Sequence, residues 1–78
     1  MDRLFAGARY RSALVERPAE GWAAVELVRD ADGRSELVAR VTYWDAAGQF
    51  YVEVLAKDIA LSLLEALIAE AKTAIPKR

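Results

Sequence analysis

The chain contains neither cysteine nor histidine. That excludes disulfide staples and thiolate nucleophiles, and it removes imidazole both as a base and as a metal ligand. The usual zinc, haem and iron-sulfur ligand sets go with them. The four glycines are isolated from one another, so there is no glycine-rich loop to cradle a phosphate. No run of 18 apolar residues occurs, and residues 1–6 hold no signal-type apolar region, so the expectation is a cytoplasmic protein with no membrane partner. Neither sign of charge dominates. Eleven Lys and Arg against twelve Asp and Glu leave a net charge of −1, too small to draw the chain toward nucleic acid or anionic lipid as a whole.

What is abundant is apolar side chain. Hydrophobic residues make up 55% of a 78-residue chain, which is high for a small soluble domain. A chain this short has an unfavourable ratio of surface to volume, and with no cross-link available it must be held by packing or by a second copy. A single α+β domain over residues 1–78 with a buried subunit interface is therefore expected.

The strongest periodic signal lies at residues 58–75. At 100° per residue, Ala60, Leu63, Leu64, Leu67, Ile68, Ala71, Ala74 and Ile75 share one arc, and Ser62, Glu65, Ala69, Lys72 and Thr73 fall opposite. The interior lacks Gly and Pro and is rich in good helix formers. Asp58 is placed to cap the start, Pro76 ends the ladder, and Lys77 and Arg78 put positive charge beyond the C-terminal end of the dipole. The polar side of this helix mixes Glu65, Glu70 and Lys72, without the basic excess of a membrane-surface helix.

Three strand-like runs precede it, at 22–29, 35–44 and 49–56, rich in Val, Leu, Tyr, Trp and Phe. The breaks Asp30-Ala31-Asp32-Gly33 and Asp45-Ala46-Ala47-Gly48 each put Asp first and Gly fourth, the pattern of a type I turn closed by a left-handed glycine. In the first hairpin this predicts Asp30 opposite Arg34, Leu27 opposite Leu37 and Val25 opposite Ala39. In the second, a four-residue loop pairs Tyr43 with Phe50, Val41 with Val52 and Arg40 with Glu53. It is preferred to a three-residue loop because it sets core against core. Residues 2–17 are read as an N-terminal helix on their Ala, Leu and Arg content, giving the order α-β-β-β-α; 9–16 can equally form an extra strand, with Tyr10, Ser12 and Leu14 on one side.

The expected fold is thus a three-stranded antiparallel meander with a C-terminal helix across one face. The other face carries Val28, Val38, Thr42 and Trp44, joined in the preferred register by Tyr51 and Leu55. So apolar a patch calls for cover by the N-terminal segment, a second subunit or a ligand. Trp44, Tyr51, Arg40, Val38 and Leu55 are accordingly the candidate interface or binding residues.

No catalytic constellation is visible. Ser12, Ser35, Ser62, Thr42 and Thr73 have no imidazole to activate them, and Glu26 and Glu53 are not brought together by any sequence signal. The Asp30-Ala31-Asp32-Gly33 string starts like a calcium loop but lacks the later ligands, and it sits between strands. The expectation is a non-enzymatic interaction or accessory domain without metal or cofactor, a homodimer open to an unidentified protein partner. The alternative is a nucleic-acid-binding module using an arginine-bearing N-terminal segment (Arg9, Arg11, Arg17) or sheet face. The order α-β-β-β-α is similar to that of double-stranded RNA-binding domains, but where those carry a lysine cluster this chain has Lys57-Asp58-Ile59-Ala60.

Overall fold

A computed structural model describes residues 1–76; Lys77 and Arg78, and the dipole role expected of them, lie outside the described residues. The fold is α+β. Five antiparallel strands form an open sheet in the order β1-β2-β3-β4-β5, and one C-terminal helix packs on it. The strands are β1 (Asp2–Phe5), β2 (Ala8–Arg17), β3 (Trp22–Ala31), β4 (Arg34–Trp44) and β5 (Gln49–Val54), followed by α1 (Leu61–Ala74). A short 3₁₀ turn, Pro18–Glu20, links β2 to β3 and ends on Gly21, whose positive φ suits its left-handed position.

The N-terminal helix expected at residues 2–17 is corrected to the hairpin β1–β2, whose second strand is the alternative strand read at 9–16, so the meander has five strands instead of three. The two residues Ala6 and Gly7 both take positive φ, 51° and 80°, and close that hairpin with Phe5 opposite Ala8. Mirror-image turns of this kind match the twist of the flanking strands. Alanine rarely occupies the first of those positions, which is why the turn is silent in the sequence.

The first β3–β4 loop is also a two-residue turn. Asp32 and Gly33 have φ of 53° and 73°, and Ala31 faces Arg34. The expected three-residue loop with Asp30 opposite Arg34 is therefore wrong. A bulge then shifts the register between Leu27 and Val28, so that Leu27 faces Ala39, Val25 faces Val41 and Trp22 faces Trp44. The β4–β5 hairpin has the four-residue loop, with Tyr43 opposite Phe50, Val41 opposite Val52 and Arg40 opposite Glu53. The N–H groups of Ala47 and Gly48 both donate to the carbonyl of Trp44, at 3.2 and 2.8 Å.

The core lies between α1 and the middle of the sheet. Leu63, Leu67, Ala71 and Ile75 repeat every fourth residue and meet Val25 and Leu27 of β3 and Ala39, Val41 and Tyr43 of β4. The helix is shorter than the sequence pattern suggests: it starts at Leu61 with Ala60 as an extended cap residue, and Asp58 does not cap it. Ile59 and Ala60 pack on the core in the segment leading into the helix, and Ala60's carbonyl accepts from Leu63 and Leu64. Ala74, assigned to the apolar arc, is exposed. On the sheet side, Ser12 Oγ of β2 sits 2.7 Å from Glu70 Oε2, tying the helix to the second strand.

Two stability predictions follow from this packing. Leu67 is fully buried at the centre of the helix seam, so Leu67→Ala should lower the unfolding free energy in urea by about 2–5 kcal/mol. Ala6→Asn should raise it by roughly 0.5–1 kcal/mol, because asparagine tolerates the left-handed conformation that alanine is forced into there. An unchanged or lowered denaturation midpoint for Ala6→Asn would show that the turn carries no such strain.

Candidate functional site

The sheet face away from α1 has no element packed on it among the described residues, because the N-terminal strands extend the sheet sideways instead of covering it. Strand alternation decides what that face presents. Partners in register show it to carry Arg9, Arg11, Ala13, Val15 and Arg17 of β2, with Asp30, Val28, Glu26, Ala24 and Trp22 of β3. Beyond these come Arg40, Thr42 and Trp44 of β4, then Tyr51 and Glu53 of β5. The face is graded along the strands, charged at one end and aromatic at the other.

At the charged end every arginine is matched. Arg9 grips Asp2 through two hydrogen bonds, at 2.9 and 2.6 Å, and Arg11 holds Asp30 at 2.7 and 3.2 Å, with Ser35 adding its hydroxyl to the same carboxylate. In the middle Arg40 lies between two acids. Its Nε and Nη2 are 3.1 and 2.9 Å from Glu53 Oε1, and its Nη1 is 3.2 Å from Glu26 Oε2. The Arg40–Glu53 pair was expected from the preferred register; the convergence of Glu26 on the same guanidinium was not. The hydrogen bond that Arg40 donates to Glu53, ahead of the one to Glu26, holds its guanidinium more firmly protonated than a free one.

At the aromatic end Trp22 and Trp44 face each other across β3 and β4, with ring centroids 6.1 Å apart and planes tilted by 47°. Tyr51 stands beside them on β5, opposite Thr42. Together with Arg40 and Glu53 these side chains line an open depression of about 450 Å³ that reaches the free edge of the sheet, where it also touches Val52. Trp44 and Tyr51 are 42% and 52% exposed, unusual for aromatic side chains of this size, whereas Ala24 and Thr42 beneath them are covered.

Three of the five sequence-nominated residues, Trp44, Tyr51 and Arg40, are thus brought together. Val38 is not on this surface: it is the extra residue of the β4 bulge and belongs to the buried core, only 1% exposed. Leu55 is half exposed but lies just past β5, outside the depression, with its N–H bonded to the Val38 carbonyl. Trp22 was missed as a site residue because the unbulged register does not set it against Trp44. Among the described residues no group of three acidic side chains is arranged to hold a metal ion, and no helix is long and apolar enough to cross a membrane.

The charged end has a pH signature. The Arg11 guanidinium, with Ser35 second, pulls the Asp30 carboxyl down from 3.8 to about 2. A carboxyl depressed in the folded state stabilises the fold above its unfolded pKa, and that contribution disappears as the pH falls through the folded value. Asp30→Asn should therefore flatten the drop in urea midpoint between about pH 4 and pH 2 relative to the parent chain. Superimposable pH profiles for the two proteins would rule out Asp30 as a contributor.

No family model matches the chain, and no match was found among characterised proteins or among solved structures.

Proposed function

We propose that this protein is a non-enzymatic interaction module, one α+β domain that self-associates as a homodimer, with Trp44, Tyr51 and Arg40, joined by Trp22, at its contact surface. The observation that carries the reading is the open aromatic end of the sheet. Two tryptophans and a tyrosine share one depression at the free edge, and the charged side chains that line it with them, Arg40 and Glu53, are already neutralised within the Glu26–Arg40–Glu53 set. Large aromatic side chains around a desolvated centre, with charge paired off at the rim, are the usual anchors of protein interfaces. A reactive site would instead call for polar groups aimed into the depression and free to exchange protons or bind substrate.

The nucleic-acid alternative draws less support. Phosphate binding requires arginines available to the backbone, and Arg9, Arg11, Arg29 and Arg40 each already hold a carboxylate, while Arg17 donates to the Glu16 carbonyl and has no acid partner among the described residues. Binding nucleic acid there would mean displacing Asp2, Asp30 or Glu53 first.

Light scattering on a sizing column, over a dilution series at moderate salt, tests the reading. The parent chain is expected to run at twice 8.6 kDa. Trp44→Glu should keep its circular dichroism spectrum while its dimer weakens by about tenfold or more. A parent chain that is monomeric throughout the series refutes self-association, and a folded Trp44→Glu protein with undiminished dimerisation removes the aromatic end from the interface.

A further inference from the structure

Self-association through this region leaves open which element joins the two copies. We propose that β5 does so, edge against edge: two copies pair their β5 strands antiparallel about a two-fold axis perpendicular to the sheet and centred on Val52, making one continuous sheet. This rests on the self-association proposed above and specifies its geometry.

The backbone gives the first argument. β5 ends the strand order, so one of its edges is unpaired among the described residues. The Leu55 N–H points to β4, where it donates to the Val38 carbonyl at 2.9 Å. Alternate residues of an antiparallel strand face opposite neighbours, so Glu53 and Tyr51 point the same way, and Phe50, Val52 and Val54 present their N–H and C=O groups to the open edge. Among the described residues no charge cluster, proline or covering element blunts that edge. β1, at the far side of the sheet, is four residues long and carries Asp2 and Arg3, whereas β5 is Gln-Phe-Tyr-Val-Glu-Val, with one charge, no lysine, no proline and no register shift. Long apolar edges without such protection are templates for pairing with another chain.

Side-chain coverage gives the second. The helix seats on β3 and β4 and leaves the helix side of β5 half bare, with Val52 48% and Val54 47% exposed. A second β5 alongside would extend that stripe into a shared one, with Val52 against Val52 and Phe50 against Val54.

Self-complementarity gives the third, and it selects the centre. With Val52 on the axis, Tyr51 faces Glu53 of the second copy, and each outward-facing pair exchanges two backbone hydrogen bonds. Arg40 already neutralises Glu53, so the new neighbour meets no bare charge, and the Tyr51 hydroxyl gains an acceptor. Centring on Tyr51 or Glu53 keeps the ladder in phase but leaves two hydrogen-bonded pairs within the strand instead of three, and a Glu53 centre also sets that carboxylate against its own copy. Centring on Phe50 or Val54 shortens the overlap. The same register sets Leu55 of the second copy opposite Gln49, next to Trp44, which accounts for the aromatic end as the rim of the joint. Both helices then lie on one side of the sheet and both tryptophan pairs on the other.

Two variants test this on the full chain. In Val52→Pro the ring replaces an N–H that strand alternation turns away from β4, a position where edge strands accept proline. It is expected to keep its circular dichroism and to raise the dimer dissociation constant by at least about tenfold in the dilution series. In Val52→Cys the new thiol is the only one present, and a short bis-maleimide is expected to link the dimer covalently, while Leu4→Cys on the opposite edge is not linked. A dimeric parent chain whose folded Val52→Pro form dimerises undiminished, or whose Val52→Cys form resists the linker, overturns edge pairing and leaves self-association standing. A monomeric parent chain overturns both. Should Val52→Pro fail to fold, the cysteine result decides alone: linkage supports the joint and its absence refutes it.

Discussion

One helix has to cover a sheet that is too wide for it, and most features of the molecule trace to that mismatch. A helix with its side chains is about 10–12 Å across, whereas five strands at about 4.8 Å spacing span roughly 19 Å between the outer pair. The stripe of Leu63, Leu67, Ala71 and Ile75 is therefore spent on the middle strands, where Val25, Leu27, Ala39 and Val41 are buried almost completely. The flanks receive what is left. On the β2 side Glu70 reaches Ser12, a polar contact where the apolar seam has run out. On the β5 side Val52 and Val54 remain half exposed. With no cysteine or histidine to staple or ligate, packing is the only device available, and it is concentrated where the helix lies.

The uncovered face survives by a different arrangement. Its charged half is a lattice of cross-strand pairs in which each carboxylate answers an arginine on a neighbouring strand, Asp2 with Arg9, Asp30 with Arg11, and Glu26 and Glu53 with Arg40. Each exposed pair contributes little alone, yet together they fix which residues stand opposite one another, since a slip by one residue would send every charge to the helix side. The aromatic half works by size. Trp22, Trp44 and Tyr51 flank small residues, and Ala24 is wholly covered although no element among the described residues packs above it. A face built this way is well ordered before any partner arrives, which lowers the entropy that association must overcome.

Much of this was legible in the sequence, and what was not has physical causes. The helix and the last hairpin were readable because their signals agree: a four-residue apolar period in one, and core-to-core plus Arg40-to-Glu53 pairing in the other. β2 was legible only as the alternative strand at 9–16, with Tyr10, Ser12 and Leu14 on one side, and β1 was not, since its punctuation is Ala6-Gly7, and alanine in a left-handed turn is indistinguishable from alanine in a helix until the fold imposes it. The first hairpin was misread because Asp30 drew attention from the Asp32-Gly33 pair that makes the turn. A bulge placed well inside the strands then shifted the register again, beyond the reach of any loop signal. The site inherited both outcomes. Trp44, Tyr51 and Arg40 follow from alternation in a correctly read hairpin; Val38 was lost to the bulge, and Trp22 stands directly against Trp44 only with the bulge in place.

The bulge also bears on how an edge joint would be shaped. It adds a residue to β4 at Val38, and the carbonyl of that residue accepts from both Leu55 and Ala56, at 2.9 and 3.1 Å. The last of β5 is thereby anchored just before the chain leaves for the helix. Bulges increase local twist and bend the strand that carries them. Pinning β5 at this end and at the Trp44 carbonyl fixes the twist of the edge between two points. Among the in-phase centres, only Val52 gives three hydrogen-bonded pairs within the strand without setting Glu53 against its own copy. On the proposed reading, the bulge that hid Trp22 from the sequence is also what holds the free edge in the shape that a second copy can match.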